Sequence, residues 1–204
     1  MNQAEKVLNI ANQNNGIITT RQVTELGIGR WVLQTLERLG KIYPVQRGVY
    51  VTESGYADDF FLLQERYPKG IYSHETALYL LGFSDRAPIQ ITMAFEQGTS
   101  TVRMKVDNIR PVMISNKDKF EVGVTSVQRP GGTEVTVYEI ERVLVDLMKP
   151  KYNADLEQVI PAFKRYAASK KKDVNKLFRY ARMFGVEDKV RSYMILSPLG
   201  RQCK

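Results

Sequence analysis

One cysteine, Cys203, and one histidine, His74, are all that 204 residues hold of these two types. A lone cysteine excludes an internal disulfide and a Cys-rich zinc site. One His with one Cys leaves little from which to build a Cys–His protease, a Ser–His–Asp triad or a His-based metal centre. Neither metal nor cofactor is therefore expected, and the balance leans against an enzyme, with only carboxylate, Tyr or Lys chemistry left open. No apolar run approaches the roughly 18–20 residues that cross a bilayer. The opening MNQAEKVLNIANQNNG has no basic segment ahead of a greasy one, so no secretory signal is expected and the cytoplasm is the expected location. What is present is ordinary globular composition, 43% hydrophobic and 25% charged, enough for one large domain or two small ones.

The formal charge of +8 is unevenly spread. Residues 1–50 carry six Lys/Arg against three Asp/Glu, residues 51–150 eleven against fourteen, and residues 151–204 thirteen against five. A basic head and a strongly basic tail flank a slightly acidic middle. Such patches attract polyanions or acidic partners without saying which.

The head has a distinct organisation. Ala4, Val7, Leu8 and Ala11 recur at helical spacing, and Asn12-Gln13-Asn14-Asn15-Gly16 breaks the pattern. Ile17 and Ile18 suit a short strand, and Thr19 or Thr20 caps a second helix holding Val23 and Leu26. Gly27-Ile28-Gly29 is a tight turn, and residues 30–39 form a third helix with Leu33, Leu36 and Leu39, or Val32, inward and Gly40 as its stop. Two short helices joined by a glycine-containing turn match the helix-turn-helix. Ile42-Tyr43-Pro44-Val45 and Gly48-Val49-Tyr50-Val51 flank Gln46-Arg47 as a small hairpin. The sum is a winged helix-turn-helix over residues 1–52. Its third helix exposes Arg30, Gln34, Thr35, Glu37 and Arg38, with Gln34 and Arg38 on one face. Arg and Gln there suit guanine and adenine edges in the major groove. Arg21 and Arg47 are placed for phosphates. The same charges would also suit the solvated face of a protein-interaction module. Trp31 reads as a core or inter-domain packing residue rather than a base stacker.

Residues 52–56 form a polar connection, and a second domain is expected over residues 57–204. Helices are expected at 58–67 and, capped by Ser73, across Ala77, Leu78, Leu80 and Leu81. Strand patterning follows at 89–93, 111–114, 121–127 and 133–137, with Pro130-Gly131-Gly132 as a turn. Ile140, Val143, Leu144 and Leu147 then share a helix face. A helix at 155–168 carries Leu156, Val159, Ile160 and Phe163, with Pro161 expected to kink or divide it. Two more helices run through Val174, Leu177, Phe178 and Ala181, and through Val190, Tyr193 and Met194. The fold class is α+β: the winged module, then a small sheet with flanking helices and a helical C-terminal part.

On Gly16-Ile17-Ile18-Thr19-Thr20, Arg47-Gly48-Val49-Tyr50, Ser73-His74-Glu75-Thr76-Ala77-Leu78 with Leu81-Gly82, and Tyr138-Glu139-Ile140-Glu141-Arg142 with Leu144-Val145-Asp146-Leu147, the chain resembles the AbiEi family. These are antitoxins of bacterial abortive-infection, type IV toxin–antitoxin systems, which act in phage resistance. The order and spacing of the motifs carry the likeness, and Val143 stands where the family often has Thr. The resemblance implies an autorepressor that binds inverted repeats in its own promoter, two molecules per operator. It also implies antagonism of a nucleotidyltransferase-like toxin without a stable complex.

Lys164, Arg165, Lys170, Lys171, Lys172, Lys176, Arg179 and Arg182 form a second basic cluster over two helices and their junction. Lys172, Lys176 and Arg179 fall at i, i+4 and i+7. The cluster could contact DNA beside the operator, bind RNA or an acidic protein for the antitoxin activity, or be a solvated surface. Arg142 and Asp146 read as an intrahelical ion pair, Gly131-Gly132 as a turn without the Lys of a phosphate loop, and His74 as structural. Tyr72, Tyr79, Phe83 and Phe95 read as core. Beside the antitoxin reading stand a winged-helix transcriptional regulator whose second domain senses a ligand, and an enzyme, such as a nuclease, with a nucleic-acid-binding appendage.

Overall fold

A computed structural model describes residues 2–195, so Cys203 lies outside the described residues. The chain is mixed α+β and divides into two compact units, Met1–Pro68 with Gln128–Val135, and Lys69–Val127 with Thr136–Lys204.

The first unit opens with α1 (Gln3–Gln13), whose first turn is closed by a reciprocal cap between Asn2 and Glu5. Its chain then turns through Asn15 and Gly16, both at positive φ, into β1 (Ile17–Thr19). Thr19 starts α2 (Thr20–Glu25) with a second reciprocal cap: its hydroxyl accepts from the Gln22 amide at 3.2 Å, and the Gln22 side chain accepts from the Thr19 amide at 2.8 Å. α3 (Trp31–Arg38) follows the Gly27–Gly29 turn. β2 (Tyr43–Gln46) and β3 (Val49–Val51) join through Arg47-Gly48, and β3 pairs antiparallel with both β1 and β2 in the order β1-β3-β2. Gly48 takes φ +83°, a turn conformation that costs other residues a steric penalty.

Val7 and Ala11 of α1, Ile18, Val23, Ile28, Val32, Leu33, Leu36 and Ile42 close one core beneath the three helices. Two expected core residues, Leu26 and Leu39, are not in it, nor is Trp31, expected in the core or between domains. Leu26 is the exposed cap of α2, Leu39 the 65% exposed cap of α3, and Trp31 is 62% exposed. Val32, Leu33 and Leu36 fill the inward side of α3, which leaves Trp31 on the far side of the helix.

A second cluster, Ile17, Val49 and Val51, is covered by Ala57 and by Phe61 and Leu62 of α4 (Asp59–Arg66). This packing carries the first unit past the polar connection at residues 52–56, where the sequence had suggested its edge, to Pro68. Asp58 caps α4 and pairs with Arg129 Nε at 2.7 Å. Gly131, at φ +84°, lies so close to Tyr56 that a Cβ would stand 2.3 Å from its carbonyl oxygen.

A five-stranded sheet, β6-β5-β4-β8-β7, is made by β4 (Ile71–Tyr72), β5 (Ile91–Glu96), β6 (Ile109–Ile114), β7 (Val124–Gln128) and β8 (Glu134–Tyr138), and all of it but Gln128 and residues 134–135 belongs to the second unit. β4 runs antiparallel to β5 and parallel to β8, and β5 parallel to β6. Helices α5 (His74–Leu80), α6 (Lys117–Glu121), α7 (Ile140–Leu147), α8 (Leu156–Ala168), α9 (Val174–Phe184) and α10 (Glu187–Ile195) accompany it. Two-residue β4 and five-residue α6 have no sequence counterpart. Glu121, expected to open a strand, closes α6 instead, and the strand begins only at Val124.

α8 runs unbroken through Pro161. The ring sits on the exposed side while Val159, Ala162, Phe163, Tyr166 and Ala167 stay buried below, so packing of that face outweighs one lost backbone bond. Leu156 and Ile160, expected inward, are exposed.

Candidate nucleic-acid interface

With Val32, Leu33 and Leu36 turned into the core, Trp31, Gln34, Thr35 and Arg38 occupy the outer face of α3 at i, i+3, i+4 and i+7. Arg30, the residue at the helix's N-cap, makes no side-chain capping bond and is exposed. The Thr35 hydroxyl donates to the Trp31 carbonyl at 3.0 Å, which leaves its lone pairs as acceptors toward solvent. Arg47 is exposed in the β2–β3 turn. Among the described residues, the side chains of Arg30, Gln34, Arg38 and Arg47 make no hydrogen bond or ion pair.

Arg21 differs from these four. Its guanidinium pairs with Glu65 of α4 at 2.6 Å. The arginine is half exposed but Glu65 is only 14% exposed, so losing the arginine would leave a mostly buried carboxylate unpaired. A phosphate would therefore have to meet the open edge of the guanidinium with the Glu65 pair intact. Gln46 fixes the hairpin beside it, donating to the Leu62 carbonyl at 2.8 Å and accepting from Arg66 at 2.8 Å.

The C-terminal basic residues do not form the continuous face expected of them. Lys172 precedes α9, whose cap is Asp173, and its ammonium donates to the Ala167 carbonyl at 2.9 Å to close α8. Lys176 turns to α7, bonding Glu139 at 2.7 Å with Glu141 at 3.7 Å. The Glu139 hydrogen bond holds its pKa above the usual lysine value. Arg165 pairs with Asp85, and Arg182 lies 3.7 Å from Glu187. Arg179 lies beside the Tyr180 ring. Lys164, Lys170 and Lys171 remain exposed. Glu139 and Glu141 lie over thirty residues upstream of Lys176, so no local pattern announces that pairing.

Two motifs far apart in sequence meet inside the second unit. α7 is buried along its length from Glu141 to Leu147, charged residues included. Arg142 is fully buried: Nε donates to Asp146 at 2.8 Å and Nη1 to the carbonyls of Lys119 and Val122 at 2.7 and 2.9 Å. Its guanidinium lies between the Tyr138 and Phe184 rings, 4.4 and 4.1 Å from their centres. Lys149 reaches the second oxygen of Asp146 at 2.5 Å. Burial alone would raise the Asp146 carboxyl, but Arg142 and the other neighbouring cations hold it below the usual range.

His74, from the other motif, takes φ +51° at the head of α5 and stacks on Tyr152 at 3.7 Å. Arg110 lies 4.2 Å from the centre of the same ring, and the Tyr152 hydroxyl donates to Glu75. These contacts give the buried motif an architectural part. Among the described residues no group of His, Cys, Asp and Glu is arranged to hold a metal.

Burial lowers the His74 pKa from 6.5 to about 4, with Asp146 pulling upward and Lys149, Arg110 and Arg142 downward. The unfolded chain therefore binds a proton here that the folded one refuses, and stability full above about pH 6.5 falls as pH drops toward 4. Through this group the second unit is expected to be about 2 kcal/mol less stable at pH 5 than at pH 8. Urea unfolding at the two pH values measures it. His74→Asn, which tolerates the left-handed backbone, should remove that part of the difference. An unchanged pH dependence in the variant would assign the effect elsewhere.

Among the described residues, open surface hollows are found in the second unit. One of about 580 Å³ is lined by Pro150, Arg182, Gly185 and Glu187, and one of about 310 Å³ by Leu147, Lys149, Leu156 and Tyr193, among others.

The chain matches no family model and no curated protein sequence. It is similar to the crystal structure of the RV2827C protein from Mycobacterium tuberculosis, at 14% identity and a TM-score of 0.51, over 96% of this chain and 81% of that one. At that identity the likeness concerns the α+β fold alone. No helix among the described residues is long and apolar enough to cross a membrane.

Proposed function

We propose that the chain is a DNA-binding antitoxin of the AbiEi type. In this reading α2 and α3 form the helix-turn-helix of a winged module, with β2 and β3 as the wing. α3 enters the major groove with Arg30, Gln34 and Arg38 at base edges, while Arg47 and Arg21 meet phosphates. Two molecules occupy the half-sites of an inverted repeat in the chain's own promoter, and the second unit counters a nucleotidyltransferase-like toxin. The chain itself performs no catalysis. One observation carries the reading: the cations of α3 and the hairpin turn are left unneutralised, whereas in the C-terminal cluster Arg165, Lys176 and Arg182 face carboxylates and Lys164, Lys170 and Lys171 stay exposed. The order of the four motifs that resemble the family supports it from the sequence side.

This reading expects a nucleotidyltransferase-like reading frame beside the coding sequence, and the toxin arm is tested in cells that express that frame, with this chain under an unrelated promoter so that repression plays no part. Relief of growth arrest is expected from the wild type and equally from the Arg30→Ala, Arg38→Ala double variant. Arrest without relief would contradict it. Point variants serve better here than truncation near residue 55, which would strip Phe61 and Leu62 from the core of the first unit. The second reading is a winged-helix regulator whose second unit senses a small molecule. That reading requires operator affinity to change when a ligand binds the second unit.

A further inference from the structure

Trp31 is the chain's one tryptophan, and 62% of it is exposed at the first residue of α3. It shares an outer face with Gln34, Thr35 and Arg38. The indole lies over Gly29: a Cβ there would stand 2.5 Å from its Nε1 and 2.6 Å from the adjacent ring carbon. Gly29 does not have a positive φ, so space for the ring, rather than backbone conformation, is what glycine supplies there. The helix turn thus presents a flat apolar group to solvent beside two free polar side chains, and a tryptophan left this way loses the burial that large aromatic side chains ordinarily gain.

We infer that Trp31 is a base-reading residue, its ring packing against a thymine 5-methyl group in each half-site. This rests on the DNA-binding reading above and names part of its specificity. Residues at the N-terminal end of a recognition helix lie nearest the base edges. In the major groove the thymine methyl is the apolar feature that distinguishes the base pairs, every other marker being a hydrogen-bond donor or acceptor. The indole ring fits that methyl group, while Gln34 and Arg38, one turn and two turns further on, supply polar contacts to adjacent base pairs.

The test starts from duplexes selected by the full chain out of a random-sequence library. Affinity is then measured with each dT replaced in turn by dU, which lacks the methyl group. For the wild type, replacement at one position per half-site should weaken binding about 3–10-fold. Trp31→Ala should weaken binding to the dT duplex by about 10-fold and bind the dT and dU duplexes alike. Trp31→Phe, which keeps a ring, should retain the discrimination. Fluorescence of the single tryptophan should change as duplex is added to the wild type.

Selected duplexes whose binding is indifferent to every dT-to-dU replacement would overturn the assignment while leaving DNA binding intact. So would a Trp31→Ala loss that preserves the dT-over-dU preference. Failure to select any duplex would instead overturn the DNA-binding reading itself, and the assignment with it.

Discussion

Replacing Arg142 by alanine is expected to destabilise the second unit by about 3–5 kcal/mol, the range for removing one partner of a buried ion pair. Three acceptors lose their donor together: the Asp146 carboxylate and the carbonyls of Lys119 and Val122. The gap between the Tyr138 and Phe184 rings also empties. Lys149 still reaches Asp146 but sits at the edge of the network, 29% exposed. Arg142→Lys keeps the charge, yet a single ammonium cannot reproduce the planar fork that reaches a carboxylate and two carbonyls. It is therefore expected to recover only part of the loss. Urea unfolding followed by far-UV circular dichroism gives the measurement. A cost below about 1 kcal/mol would mean that the guanidinium does not tie α7 to the α6–β7 segment.

The second large effect concerns α3 and the adjoining turn. Arg38→Ala is expected to lower affinity for the selected duplex about 10- to 100-fold, the scale of one lost bidentate base contact, with a smaller loss on random DNA. Arg47→Ala should instead weaken both duplexes by similar factors and reduce the slope of log affinity against log salt by about one. Neither side chain has a partner within the described residues, so neither substitution leaves a buried group unsatisfied, and both variants should keep wild-type stability. Anisotropy titrations at several salt concentrations separate the two patterns. Equal losses on specific and random DNA for Arg38→Ala would move that residue from base edge to phosphate.

The first unit was legible in the sequence because its signals are local. Thr19 or Thr20, the Gly27–Gly29 turn, Gly40 and Gly48 each mark a boundary within a few residues of where it falls. The inward face of α3 followed from Val32, Leu33 and Leu36. Trp31 was misplaced because its size suggested burial, although its phase on the helix, in step with Gln34, Thr35 and Arg38, put it outside. Leu39 follows the last helical residue and so falls beyond the core that an extended helix would have reached.

The second unit was less legible where long-range contacts decide. β4 is only two residues long, and α6 buries none of its residues, so neither carries a periodic pattern. Lys172, Lys176 and Arg179 looked like one helical stripe, but α9 begins after Asp173, and Glu139 and Glu141 capture Lys176 from a helix distant in sequence. The Arg142–Asp146 pair was readable from its spacing. Its full burial depends on α6 and Phe184, which no local pattern reveals.

The decisive measurement is binding of the full-length protein to a duplex from the DNA upstream of its own coding sequence, beside a scrambled duplex of equal length and composition at physiological salt. Preference of about 10³-fold or more for the upstream duplex, with two molecules bound and the preference lost in the Arg30→Ala, Arg38→Ala double variant, is the expected result. Equal affinity for the two duplexes, or a preference that survives the double substitution, would contradict α3 as the reading element.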